Sequence, residues 1–105
     1  MLDGRLKEIV ARLQPMRPRR ILLFGSAARG RADHLSDLDI IVVADEVPPR
    51  FLDRIAEAYD LIQPGFALDI LVYTPEEYAA MLEAENPLLE QAERDGIVVY
   101  ERSAA

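Results

Sequence analysis

Two short apolar runs of strand length, "RRILLF" (19–24) and the β-branched "DLDIIVVA" (37–44), narrow the possible folds more than any other feature of the chain. Only about a dozen residues join them, room for a helical turn or two but not for the full crossover helix of a parallel pair. The joining stretch opens on Gly25-Ser26, which cuts the first run off sharply. The other elements must build a sheet around this close pair. Leu2, Leu6, Ile9, Val10 and Leu13 share one helical face ahead of the first run, and Pro15 and Pro18 end that helix. Phe51, Ile55, Tyr59 and Ile62 keep helical spacing up to the turn at Pro64-Gly65, and "FALDILVY" (66–73) reads as a third strand. Thr74 then reads as an N-cap, with Pro75 at the first helical position and Glu77 closing a capping box. Asn86-Pro87 breaks that helix and starts another, which Asp95-Gly96 ends before a fourth strand, "IVVY" (97–100). The order predicts an α+β fold, a two-layer α/β sandwich with a small mixed sheet and helices mostly on one face.

The chain has 105 residues, which predicts a single domain over 1–105. Half of the residues are hydrophobic and 30% are charged, the balance of an ordinary globular protein. No apolar run approaches the length of a membrane span, and the charge-broken N-terminus reads as no secretory signal, so a cytoplasmic location is expected. Cysteine is absent, which excludes disulfides and thiolate metal sites. A net charge of −7 argues against binding a nucleic-acid backbone. Basic residues do gather locally, at Arg17 to Arg20 and at Arg29 and Arg31, and arginine is so favoured over lysine that Lys7 stands alone. Genomic bias explains most of that preference, while a forked guanidinium aimed at phosphate is a role reserved here for Arg29.

Alternation along a strand puts Asp37 and Asp39 on one side, with Ile41 and Val43 continuing their face. Asp69 shares a face with Leu71 and Tyr73, and if the second and third strands are neighbours it falls opposite Asp39, about 5 Å away between Cβ atoms. Three converging carboxylates oppose folding unless a cation neutralises them. An oxygen-only donor set points to Mg²⁺ or Mn²⁺, ions that a few carboxylates and substrate phosphates hold together. Two such ions align an attacking hydroxyl and stabilise a leaving pyrophosphate. The Gly-Ser turn supplies the complementary part. Gly25 permits the bend and a close ligand approach. Ser26 would cap a short helix, "AARG", whose free N–H groups face a phosphate, and Arg29 would reach a triphosphate from that helix or pair with Asp33.

Gly25-Ser26, ten residues, Asp37-x-Asp39 opening a strand and Asp69 inside a later strand, with Arg29-Gly30 after the Gly-Ser, together resemble the minimal nucleotidyltransferase family. That family belongs to the DNA-polymerase-beta-like nucleotidyltransferase superfamily. The likeness runs firmly from 19 to 73. It implies the superfamily's small palm-like core, and transfer of a nucleoside monophosphate from an NTP such as ATP with two Mg²⁺ ions (or Mn²⁺). In that scheme Asp37 and Asp39 bind both metals, Asp69 binds the one that activates the acceptor hydroxyl, and Gly25, Ser26 and Arg29 hold the nucleotide. Stand-alone members commonly pair with a helical HEPN-domain protein, so the resemblance also implies a hetero-oligomer. In several such pairs the nucleotidyltransferase is an antitoxin that adenylylates a tyrosine of its HEPN toxin.

The rival reading is a non-catalytic binding module that neutralises a toxin by stoichiometric complex formation. It has in its favour the small surface available for choosing an acceptor. Other tempting residues take plainer readings. His34 reads as a solvated loop histidine, and Tyr59, Tyr73, Tyr78 and Tyr100 read as packing.

Overall fold

The computed structural model describes residues 4–25 and 37–102. Helix α1 (Gly4–Arg12) is followed by a 3-10 turn at Gln14–Met16, then strands β1 (Pro18–Phe24) and β2 (Leu38–Ala44). Helix α2 (Phe51–Ile62), strand β3 (Leu68–Tyr73), helices α3 (Pro75–Glu83) and α4 (Pro87–Asp95) and strand β4 (Ile97–Glu101) complete it. The proline signals act where expected. Pro15 tightens the chain into the 3-10 turn, Arg17 takes a left-handed φ of 53°, and Pro18 opens β1.

The sheet runs β3-β2-β1-β4. β1 pairs antiparallel with β2 and with β4, whereas β2 and β3 are parallel, with α2 as the crossover between them. The short interval between β1 and β2 thus joins an antiparallel pair, as its length requires.

Alternation sorts the core into two clusters. Ile21, Leu23, Ile40, Val42, Ile70 and Val72 bury against Ile9 and Leu13 of the N-terminal segment and against Ala58 and Ile62 of α2. Leu22, Ile41, Val43 and Tyr73 pack with Tyr78 of α3 and with Leu89 and Ala92 of α4. The mixed α+β sheet is as expected, but its helices are divided between both faces rather than gathered mostly on one. The reason is legible in β2: after Asp39 it is an unbroken apolar run, so both sets of alternating side chains need cover.

The helix caps follow the sequence closely. Thr74 and Glu77 form a reciprocal capping box on α3, and the Asn86 side chain accepts from the amides of Leu88 and Leu89 on α4. Arg54 has no such forewarning. Only 4% exposed, it grips both carboxylate oxygens of Glu77 at 2.5 and 3.1 Å and donates to the carbonyls of Pro48 and Pro49. Glu77 therefore caps α3 and also neutralises a cation buried in α2. That bidentate pair fixes the loop after β2 to the start of α3.

Candidate active site

β2 and β3 begin at the same edge of the sheet, and parallel pairing sets Asp39 directly beside Asp69. On the other side of β2, Asp39 pairs in register with Phe24, the last residue of β1. All three point to the face that α3 and α4 cover, at the end where β1 stops and β2 and β3 start. Asp39 is half-buried, while Asp37 and Asp69 are exposed.

Gly25 is fitted to this corner. Its φ is +75°, in the left-handed region that favours glycine, and a Cβ built on it would lie 2.5 Å from Asp39 Oδ2. The glycine therefore does two things: it turns the chain out of β1 and it leaves room for a carboxylate against the backbone. No larger residue accomplishes both.

Electrostatics marks the same place. Burial, then a hydrogen bond to Asp69, then the charges of Asp69 and Asp37 all push the Asp39 carboxyl above its usual 3.8. Two carboxyls facing each other ionise together only at a cost, unless a proton or a cation stands between them. Their oxygen donors suit a hard cation such as Mg²⁺ or Mn²⁺. Among the described residues no three His, Cys, Asp or Glu side chains form a metal-holding group, so the facing pair offers two carboxylates rather than the three expected to converge. Asp37 acts on Asp39 through its charge from an exposed position just ahead of β2.

The structure therefore unites Gly25, Asp39 and Asp69, with Asp37 within electrostatic reach. Ser26, Arg29, His34 and the expected "AARG" helix lie outside the described residues. Tyr59 packs against the core as expected, but it also makes a contact near the site that the sequence does not reveal. Tyr59 of α2 donates its phenol hydrogen to the carbonyl of Leu68, the residue before Asp69. The available signal was weak: a half-buried tyrosine needs a partner for its hydroxyl, but nothing in the sequence says which.

Residues 4–101 match the nucleotidyltransferase domain. The chain belongs to that family. MJ1305 of Methanocaldococcus jannaschii, provisionally named a protein adenylyltransferase, is 34% identical over 74 residues, covering 66% of this chain and 49% of MJ1305. The chain thus spans about half the length of that curated relative. Among solved structures, one provisionally named a minimal nucleotidyltransferase superposes with a TM-score of 0.58 at 28% identity, over 90% of this chain and 88% of the other. A toxin-antitoxin protein crystallised with AMP-PNP shares the fold with a TM-score of 0.61 at 24% identity, over 93% of this chain and 74% of its own. Among the described residues no helix is long and apolar enough to cross a membrane.

Proposed function

We propose that this domain transfers a nucleoside monophosphate, AMP from ATP, to an acceptor hydroxyl on a partner protein. The observation that carries this reading is the register of Asp39 against Asp69, with Gly25 packed on the Asp39 carboxylate. A structural role gives no reason to bring two acids together at the edge of a sheet and to desolvate one of them. A polyanionic substrate bound with a divalent cation does.

Asp37, Asp39 and Asp69 would hold the cation. Bound Mg²⁺ supplies positive charge to the triphosphate and lowers the pKa of the attacking hydroxyl. The chain's own groups do the rest. Gly25 lets the backbone approach the phosphates, and Ser26 and Arg29 would grip the triphosphate from the stretch that follows it. Asp69, the more exposed of the facing pair, would orient the acceptor hydroxyl and take its proton. The new bond joins the acceptor oxygen to the α-phosphorus, the bond from that phosphorus to the bridging oxygen breaks, and pyrophosphate leaves.

For the acceptor we propose a tyrosine of a HEPN-domain toxin, which makes this protein the antitoxin of a pair. Three things support that choice: the resemblance to minimal nucleotidyltransferases, the provisional name of MJ1305, and the fold shared with toxin-antitoxin proteins. The test is incubation of the chain and its co-purifying partner with each NTP and Mg²⁺, followed by intact mass measurement. The expected result is one added AMP on the partner with substoichiometric amounts of this chain. Neutralisation that needs one copy per partner and no nucleotide would instead establish a blocking module.

A further inference from the structure

We infer that Tyr59 is a positioning residue for the acidic pair, holding the start of β3 so that Asp69 stands beside Asp39. The inference rests on reading that pair as the nucleotide-transfer site. Tyr59 lies on α2, against the sheet face opposite the carboxylates, and it ties down both ends of the turn that leads to Asp69. Its backbone carbonyl accepts from the Gln63 amide at 2.7 Å, where α2 stops and Gln63 turns left-handed with a φ of 47°. Its hydroxyl donates to the Leu68 carbonyl, where β3 begins.

The residues between are held from β2 as well, because the Leu38 amide donates to the Ala67 carbonyl at 3.1 Å. Leu38 and Leu68 are register partners, and the next pair along is Asp39 and Asp69. The phenol thus fixes the residue immediately before one acid, while β2 carries the other. Facing carboxylates repel, so they keep a common register only if each strand start is anchored. Residue 69 is the second residue of its strand, where fraying is easiest. The charge of Asp69 also reaches Tyr59: after burial, it is the cause that raises the phenol above its usual 10.0.

The test compares Tyr59→Phe with Ile62→Val in the full chain, each measured at a temperature where the two variants have the same unfolding free energy. Ile62 belongs to the same helix and core but makes no contribution to the turn's hydrogen bonds, so it reports simple destabilisation. Two readouts are taken without nucleotide: Mn²⁺ affinity from the free-ion resonance, and hydrogen exchange at the Leu38 amide. Tyr59→Phe is expected to weaken Mn²⁺ binding about tenfold, as loss of an outer positioning contact does, and to speed exchange at Leu38. Ile62→Val should do neither. Unchanged Mn²⁺ affinity in Tyr59→Phe, or an equal loss in Ile62→Val, overturns the assignment of Tyr59 alone. Wild-type protein that fails to bind Mn²⁺ overturns the reading of the acidic pair and this assignment with it.

Discussion

An aspartate stands near each end of strand β2, and the two are treated in opposite ways. Asp39, near its start, is half-buried against Gly25 and faces Asp69, and every influence on it raises its pKa. Asp45, just past its end and roughly 20 Å away at a rise of ~3.3 Å per residue, accepts from Arg19 at 3.0 Å and from Arg102 at 2.5 Å. Those two guanidiniums hold its carboxyl below the usual value. Glu77, gripped by Arg54, is lowered in the same way. Carboxylates that build the fold are paired with arginine, whereas those at the candidate site are set against each other. The difference teaches how to separate them: a structural acid stabilises by its charge, and a site acid is tolerated despite it.

The sharpest way to break the comparison is Asp39→Asn. Transfer is expected to fall by a factor of about 10³ or more, the loss typical of a group that stabilises charge in the transition state. The melting temperature should hold or rise, because a like-charge contact is relieved. Mass spectrometry of the partner and a thermal scan check both halves, and undiminished transfer ends the assignment. Arg54→Met is the structural counterpart. It leaves Glu77 without its guanidinium and the carbonyls of Pro48, Pro49 and Val72 without the Arg54 N–H groups, at a cost of about 3 kcal/mol, the lower end for breaking a buried pair because Glu77 is nearly half exposed. Urea unfolding reads it, and residual transfer at low temperature should stay near wild type.

Gly25→Ala sharpens the comparison from the backbone side. A Cβ at 2.5 Å from Asp39 Oδ2, on a residue with positive φ, should cost about 1–2 kcal/mol of stability. Transfer should fall more than stability does, because the displaced atom belongs to the site; equal losses would make Gly25 a simple turn residue. The smallest effect is the pH dependence. Asp45 and Glu77 have folded pKa values below their ordinary 3.8 and 4.5, so their contributions are present above those values and fade as pH falls through the lower folded ones. Melting temperature should therefore drop on acidification below about pH 4.5, and Asp45→Asn should flatten that slope. Asp39 has the opposite sign: acid relieves its repulsion with Asp69 and partly offsets the loss.

Much of the site could be read from residue order because it depends on local rules. Strand alternation placed Asp69 with Leu71 and Tyr73, and the glycine announced the turn after β1. The cap at Thr74 and the helix start at Asn86-Pro87 were equally local, since each needs only the next few residues. Arg54 escaped for the opposite reason. Helical spacing sets it on the stripe of Ala58 and Ile62, where an arginine is out of place, and only the arrival of Glu77 together with the carbonyls of Pro48 and Pro49 makes its burial affordable. The division of helices between both sheet faces escaped in the same way: the apolar run in β2 demands cover on each side but does not name its source.

The sequence by itself therefore determined which residue types the site would hold and on which side of their strands they would point, because periodicity and turn chemistry operate over a few residues. Only the tertiary structure decided that β2 and β3 lie side by side with Asp39 level with Asp69 and Gly25 against the carboxylate. Register between strands far apart in the chain is set by packing across the whole sheet, and no local pattern contains it.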